Sequence, residues 1–378
     1  MSGVVETLKR EAWHGAGAVE SILQQHEFPL IEGRTATFVW RGQASHVALR
    51  HWIHSLPSSQ DFEHLHGTDL WLLTMDIPEG SRVEYKIEVA RGHHRELVRD
   101  PLNPHTARDP FGANSVVHGA GYEEPSWACE DPEARKGELV DFAIDSQAFG
   151  ERRELEIYLP ARFRRTRRYP LLVVHDGSDF VRFAELRTVL DNLIHALEIP
   201  GLVVALTQSP NRLHEYADDE RHAQFLADEL LPALSEEYPL VDDPSARALF
   251  GASFGAVASL SAAWRKPGVW GNLGLLSGSF AFTDIGDHDR GPVFDPVVEF
   301  VNAFRAAPGR PADKAYLACG TYESLIYYNR SLLPLLQDTG MAVRYAEARD
   351  GHNWENWRDR LREALSYLFP GPLWMVYE

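Results

Sequence analysis

Cysteine is scarce in this sequence, whose 378 residues contain only Cys129 and Cys319. Two residues this far apart form neither the dense disulfide framework of a small secreted domain nor the spacing of a zinc site. The scarcity therefore suits a protein that works in a reducing compartment, and it gives no sign of a cysteine-bound metal.

Long apolar runs are also missing. No stretch has the length and hydropathy expected of a membrane span, and residues 1–17 lack the apolar core of a signal peptide. We therefore expect a cytoplasmic protein with no membrane partner.

Positive charge is in short supply, because 37 Lys and Arg face 55 Asp and Glu, giving a formal net charge of -18. This balance argues against binding to nucleic acid or to an anionic membrane, since both require a basic surface. Hydrophobic residues nevertheless make up 44% of the chain. The chain can therefore bury a sizeable core, and its length suits two domains.

The N-terminal third has the alternation of β-structure. Between about residues 34 and 118, β-branched and aromatic residues alternate with polar ones, and turn-forming residues separate the segments. This pattern predicts a small all-β sandwich domain over residues 1–125. Residues 126–138 combine turn formers and charges without periodicity, which predicts a linker.

From residue 139 the pattern changes. Two alternating segments predict an antiparallel pair that opens a sheet, and short, nearly continuous apolar runs follow with helical patterns between them. Such runs are typical of strands covered on both faces. The alternation predicts an α/β-hydrolase type of domain with a mostly parallel sheet over residues 139–378.

One of these apolar runs ends in Gly251-Ala-Ser253-Phe-Gly255, and a helical pattern of small residues follows directly. A G-x-S-x-G sequence between a strand and a helix places the serine on a tight turn with its hydroxyl above the sheet. Glycine-rich turns are common, so the motif alone leaves a structural turn open. Ser253 is nevertheless the candidate nucleophile.

Chain order supplies candidate partners, because hydrolases with this elbow place the acid and then the histidine after the serine. His352 lies on a predicted loop before the final helix, and Glu323 directly follows an apolar run. Glu323 would hold the imidazole in the correct tautomer. Asp350 is too close to His352 in sequence for this role, and Asp313 precedes the strand. Asp284, Asp287 and Asp289 are further candidates for the acid, but they lie in an acidic segment that is more plausibly a solvated surface loop.

An oxyanion hole needs two backbone N–H groups directed at the developing charge. The residue after the nucleophile, Phe254, is one candidate donor. Ser178 is the other, because it follows an apolar run and the turn at Asp176 and Gly177. An ordinary strand-ending turn is the alternative interpretation of this second segment.

These blocks, in this order, resemble the esterase-D-like α/β-hydrolases. The segments HDGSDF, GASFGAVASL, GTYESLIYYNRSL and GHNWENWRDRL carry the resemblance. The N-terminal segments ATFVWRG and RDPLNPHTARDPFGANSVV are similar to the N-terminal domain of enterochelin esterases, which is an immunoglobulin-like sandwich. The resemblance spans about residues 34–370 of the chain.

The resemblance implies hydrolysis of the ester bonds of a catecholate siderophore, an enterobactin-like trilactone, which releases iron in the cytoplasm. It implies Ser253, His352 and Glu323 as the catalytic residues. Arg212 and Glu215 match a block near the substrate cleft of such esterases, although a salt-bridged loop explains them equally well. The chemistry needs no cofactor, and any iron belongs to the substrate.

Two features of the sequence leave the substrate open. Relatives often have tryptophans where this chain has the acidic segment AFTDIGDHDRG, which does not favour a negatively charged ferric complex. Feruloyl and acetyl-xylan esterases join the same fold to a carbohydrate-binding-like sandwich. Trp40, Trp52 and Trp71 could serve as sugar platforms there, but at strand spacing a core role is the more common one.

A function of another class is a binding protein without catalysis. All three catalytic positions hold competent residues, which argues against it. The N-terminal domain could bind ligand, cover the cleft or form a homodimer, and the sequence does not separate these roles.

Overall fold

The structure is a computed structural model that describes residues 3–14, 16–284 and 288–372. The chain forms two compact units. The first contains Met1–Glu123, Gly320–Ser324 and Ala348–Asn353, and the second contains Glu124–Cys319, Leu325–Glu347 and Trp354–Glu378. Two short loops of the C-terminal half therefore belong with the N-terminal residues.

The first unit is built on two antiparallel sheets. Its strands are β1 (Leu30–Glu32), β2 (Thr35–Arg41), β3 (His46–His51), β4 (Ser59–Asp61), β5 (Glu63–His64), β6 (Leu70–Asp76), β7 (Arg82–Arg91), β8 (His94–Val98), β9 (Thr106–Asp109) and β10 (Gly112–His118). One sheet has the order β1-β2-β6-β5, and the other has the order β4-β3-β7-β10-β9 with β8 paired to β7.

Aromatic side chains from both sheets form the core of this sandwich. Phe38 on β2 contacts Tyr85 on β7 edge to face, with 5.1 Å between ring centroids. Trp40 and Trp71 are also buried in this core, as their spacing predicted. Trp52 differs from them, because 60% of its surface is exposed.

Two helices precede the sandwich, α1 (Gly3–Glu11) and α2 (Ala16–Gln25). Their apolar side chains form a second cluster with one face of β2 and β6: Leu8, Val19, Leu23, Phe28, Val39, Leu70 and Leu72. The prediction of an all-β domain is corrected here. The four-stranded sheet is covered on both faces, by the other sheet on one and by these helices on the other.

The second unit contains one sheet with the order β11-β12-β14-β13-β15-β16-β17-β18. Its strands are β11 (Glu138–Ser146), β12 (Glu151–Leu159), β13 (Leu171–His175), β14 (Val203–Thr207), β15 (Arg247–Ala252), β16 (Asn272–Leu276), β17 (Lys314–Gly320) and β18 (Ala342–Ala348). The sheet is mixed, which corrects the prediction of a mostly parallel one. The reason is that β12 pairs antiparallel with both β11 and β14, whereas β14, β13, β15, β16 and β17 run parallel.

Helices and apolar clusters cover both faces of this sheet. The helices are α3 (Gly177–Phe183), α4 (Leu186–His195), α5 (Arg212–Glu215), α6 (Glu220–Gln224), α7 (Leu231–Glu237), α8 (Phe254–Arg265), α9 (Asp295–Ala306), α10 (Ile326–Asp338), α11 (Trp354–Arg358) and α12 (Leu361–Leu368). Val173 on β13 belongs to one cluster, and its neighbours Leu172 and Val174 belong to the other. This alternation explains the continuous apolar runs in the sequence.

The predicted linker, residues 126–138, makes ordered contacts within the second unit. The side-chain amide of Asn192 on α4 donates to the backbone carbonyls of Trp127 and Cys129. The backbone N–H of Gly137 donates to Asp191 at 2.7 Å. In the part of the chain that the structure describes, no helix has the length and apolar character needed to cross a membrane.

Candidate active site

Ser253 lies on a strained turn between β15 and α8. Its φ is 58° and its ψ is -121°, a conformation that residues with a side chain rarely adopt. A Cβ on Gly251 would come within 2.5 Å of the Gly255 backbone, and one on Gly255 would come within 3.1 Å of the His175 Cβ. Gly251 therefore has no room for a side chain, and a side chain on Gly255 would be tightly packed against His175.

Neighbouring strands hold the elbow in place. The backbone N–H of Ser253 donates to the Leu276 carbonyl of β16 at 2.9 Å, and the Ser279 N–H donates to the Ser253 carbonyl at 3.2 Å. The Ser253 hydroxyl lies 3.2 Å from the Ser279 hydroxyl. The end of β16 and the chain that follows it therefore position both the backbone and the side chain of Ser253.

Glu323 and His352 are brought together in the first unit. The His352 Nδ1 lies 2.7 Å from the Glu323 Oε2, and the second carboxylate oxygen accepts the Gly320 N–H at 2.8 Å. The Glu323 side chain is fully buried, whereas 38% of the His352 side chain is exposed. Because a carboxylate accepts hydrogen bonds, the His352 Nδ1 carries the proton of this contact.

The other acidic candidates have different partners. Asp350, which is buried, pairs with Arg82, and Asp313 pairs with Arg310 on the surface. Asp284 and Asp289 belong to the described residues but Asp287 does not. The acid that contacts His352 is Glu323.

The two predicted oxyanion donors lie at the starts of helices in the second unit. Phe254 is the first residue of α8 and Ser178 is the second residue of α3. N–H groups in the first turn of a helix have no partner within the helix. Asp176 precedes α3 with a φ of 55°, and a Cβ on Gly177 would lie 2.4 Å from the Leu206 Cα. Their role as oxyanion donors stays a prediction.

Arg212 and Glu215 each take part in a separate ion pair. The Arg212 Nε donates to the buried Asp176 carboxylate at 2.7 Å. Arg153 donates two hydrogen bonds to Glu215, at 2.9 and 3.1 Å, and both side chains are buried. These contacts favour the salt-bridged loop for Glu215, while 32% of the Arg212 side chain is exposed.

The sequence reasoning missed a buried histidine pair beside the Asp176 turn. The Nε2 atoms of His175 and His222 lie 2.9 Å apart. The Ser259 hydroxyl donates to the Gly255 carbonyl and lies 3.0 Å from the His175 Nδ1. The His175 Nδ1 also lies 3.2 Å from the Phe250 carbonyl, which can only accept, so Nδ1 carries the proton and Nε2 accepts from His222. Burial lowers the pKa of His175 to about 4 and lowers that of His222, so both rings are neutral. The only sign of this pair in the sequence was a histidine at the end of an apolar run.

No group of three or more histidine, cysteine or acidic side chains suited to a metal ion occurs within residues 3–14, 16–284 and 288–372. Cys129 is exposed and Cys319 is buried, and neither forms a disulfide with another described residue.

The family model for putative esterases matches residues 146–368, which is more than half of the chain. The chain belongs to this family. The similarity of this chain to known proteins extends over both units. Iron(III) enterobactin esterase of Dickeya dadantii is 24% identical, and the alignment covers 98% of this chain and 97% of the relative.

Solved structures show the fold of this family member. The enterobactin esterase of Shigella flexneri, crystallised in the presence of enterobactin, superposes with a TM-score of 0.71 at 22% identity, covering 91% of this chain and 94% of that one. A ferulic acid esterase of Anaeromyces mucronatus in complex with ferulic acid gives a TM-score of 0.54 at 16% identity, covering 64% of this chain and 94% of that one. The fold is thus that of the enterochelin esterases, with a mixed sheet.

Proposed function

We propose that this protein is a serine esterase that hydrolyses the ester bonds of a catecholate siderophore, an enterobactin-like trilactone, and so releases iron in the cytoplasm. Ser253 is the nucleophile, His352 the base and Glu323 the acid. The single observation that carries the chemistry is the 2.7 Å contact between the buried Glu323 carboxylate and the His352 Nδ1. It fixes one tautomer of a partly exposed imidazole, as a general base requires.

The reaction follows from these groups. The His352 Nε2 takes the proton of the Ser253 hydroxyl as Oγ forms a bond to the ester carbonyl carbon. The N–H groups of Phe254 and Ser178 stabilise the oxyanion. The carbonyl carbon then loses its bond to the leaving alkoxide, which takes the proton from His352. Water repeats the attack on the acyl-enzyme and frees Ser253.

The extent of the likeness supports the siderophore as substrate. The enterobactin esterases match this chain through both units, whereas the ferulic acid esterase leaves about a third of it without a counterpart. We take the sandwich to be the immunoglobulin-like domain of these enzymes.

A cation beside the elbow supports an anionic substrate despite the net charge of -18. The Arg212 guanidinium lies 6.0 Å from the ring centroid of Phe254, the residue that follows the nucleophile. Because its side chain is partly exposed, Arg212 can donate hydrogen bonds to a catecholate complex, while Asp176 offsets part of its charge and holds it in place.

Hydrolysis assays on the purified protein test the proposal. The substrates are a cyclic catecholate trilactone with and without iron, a feruloylated sugar and a short p-nitrophenyl ester. We expect trilactone cleavage to exceed that of the other esters and to be lost in Ser253→Ala. Ser235→Ala is the matched control, because its hydroxyl only donates to the Leu231 carbonyl within α7.

The exposed Trp52 favours a second candidate, a feruloyl or acetyl-xylan type of carbohydrate esterase. Preference for the feruloylated sugar, with Ser253 still essential, would favour that assignment. Equal inactivity of wild type and Ser253→Ala on every ester would refute both and leave a binding function.

A further inference from the structure

Two loops carry the acid and the base of the proposed triad, and they are bonded to each other. The backbone N–H of Thr321 donates to the Ala348 carbonyl at 2.7 Å, and that of Tyr322 donates to the Asp350 carbonyl at 3.1 Å. Both loops belong to the first unit, with the sandwich strands. Their surroundings in that unit therefore determine how His352 is held.

Arg82, the first residue of β7, anchors the histidine loop. Its Nη1 donates to the Asn353 Oδ1 at 2.9 Å and to the Asp350 Oδ1 at 3.3 Å. Its backbone N–H donates to the Arg349 carbonyl at 2.9 Å. Asp350 and Asn353 stand on either side of His352 in the sequence, so one guanidinium holds both flanks of the histidine.

The flanks are also tied to each other. The Asp350 Oδ1 accepts the Gly351 N–H at 2.7 Å and the Asn353 side-chain amide at 2.8 Å. Arg82 and Asp350 are both buried, with exposures of 1% and 4%. Removing one partner of a buried pair leaves the other charge uncompensated, so loss of Arg82 should disturb the contacts of Asp350.

A second contact anchors the acid loop to the residue before β7. The Ser81 and Tyr322 hydroxyls lie 2.7 Å apart, and the His54 N–H donates to the Tyr322 carbonyl at 2.8 Å. Tyr322 directly precedes Glu323. Consecutive sandwich residues, Ser81 and Arg82, thus hold the loops of both the acid and the base.

We propose that Arg82 is a positioning residue for the proposed base: by clamping Asp350 and Asn353, it keeps the His352 ring against Glu323. The sandwich then takes part in catalysis by fixing the acid–base pair. This inference rests on the proposed function. It concerns the orientation of the imidazole rather than substrate binding, so its loss lowers kcat and leaves KM unchanged.

The test compares Arg82→Met, Arg82→Lys and Tyr322→Phe with wild type and with Arg91→Met. Arg91 is the control because it is an exposed arginine at the other end of β7, paired with Glu96. We expect kcat to fall about ten- to a hundredfold in Arg82→Met, since a displacement of about 1 Å costs rates of that order. Lysine keeps the charge but cannot form the two-sided hydrogen bonds of a planar guanidinium, so kcat should fall by a smaller factor in Arg82→Lys.

A structural readout separates positioning from general damage. The His352 Nδ1 proton, held by Glu323, should give a downfield proton NMR signal that His352→Ala removes. The signal should weaken or shift in Arg82→Met and Tyr322→Phe and persist in Arg91→Met. Tyr322→Phe loses one hydroxyl and keeps its ring, so it remains informative if Arg82→Met does not fold.

Wild-type kcat and an unchanged signal in Arg82→Lys and Tyr322→Phe would overturn the inference, as would a rise in KM alone. Failure of the proposed function looks different. In that case Ser253→Ala would match wild type on every ester, while the signal and its dependence on Arg82 would still report whether this residue orients His352.

Discussion

Glu323 uses its two carboxylate oxygens for different tasks, one for the Gly320 N–H and one for His352. Chain order pointed to Glu323 because the acid of such enzymes follows a strand, and the structure brings it to His352. Sequence spacing argued against Asp350, which is too close to His352, but it gave no role for this buried acid. The structure supplies that role, a contact across 268 residues from Asp350 to Arg82, which leaves no local pattern in the sequence.

The division of labour within Glu323 predicts the effect of Glu323→Gln. The new amide would turn its carbonyl to the Gly320 N–H and its NH₂ to the His352 Nδ1. That ring nitrogen would then have to accept, so Nε2 would carry the proton and could not serve as a base. We expect kcat to fall by about 10²–10⁴ with KM little changed, measured by steady-state ester hydrolysis.

Glu347→Gln is the control, because Glu347 lies on the surface in an ion pair with Arg330. Its kcat should equal that of wild type. If Glu323→Gln retained wild-type kcat, the contact with His352 would be structural, and Glu323 would leave the proposed triad.

Strand β2 illustrates what periodicity can and cannot reveal about an element. Its alternation predicted a strand, and Phe38 and Trp40 do point into the sandwich core while Val39 packs on the other face. The helices that cover Val39 were missed. They contain nine and ten residues, and helices this short depend on packing rather than on intrinsic propensity.

Strand β7 carries a buried polar group whose removal should weaken the sandwich. The Tyr85 hydroxyl donates to Asp100 at 2.6 Å and accepts from the Asn103 amide at 2.9 Å. Burial raises the pKa of Asp100, and the bond from Tyr85 opposes this rise. Tyr85→Phe would leave both partners short of a bond, at a cost of about 1–3 kcal/mol.

Urea unfolding followed by fluorescence would measure this loss. Arg34→Ala in the same unit removes an exposed ion pair with Asp76 and should cost less than about 1 kcal/mol. Equal stability of Tyr85→Phe and wild type would mean that water satisfies Asp100 and Asn103 in the absence of the hydroxyl.

The two structural units do not correspond to two continuous segments of the chain. Composition indicated a boundary near residue 125, and the first unit does include Met1–Glu123. The loops at Gly320–Ser324 and Ala348–Asn353 could not be assigned to that unit from sequence, since hydrogen bonds that join distant segments do not affect local periodicity. Fold class follows from patterns, whereas the surroundings of the base come from three-dimensional contacts.

Proton binding on unfolding gives a prediction for the stability of the molecule. His175, with its pKa lowered to about 4, and His222, whose pKa is also lowered, stay neutral when folded. Unfolded histidines bind protons below about pH 6.5. The unfolded state therefore holds more protons as the pH falls from 6.5 towards 4, and stability declines by up to about 1.4 kcal/mol per pH unit for each ring.

Thermal unfolding between pH 7 and pH 5 would measure this slope. His222→Gln keeps a donor for His175 and removes one buried titrating ring, so its midpoint should fall less steeply on acidification than that of wild type. An identical slope in both proteins would show that this pair does not govern acid stability.

Because the two loops belong to the same unit as the sandwich, the domains of this protein are difficult to exchange between relatives. A graft that cuts after Glu123 carries every proposed catalytic side chain to the new host, yet it leaves Ser81 and Arg82 behind. Swapping sandwiches to change specificity would then alter the turnover of the recipient as well as its choice of ligand. A substitution in the sandwich can therefore change turnover through a few hydrogen bonds. In a chimera, Ser81 and Arg82 must be transferred together with the two loops that they hold.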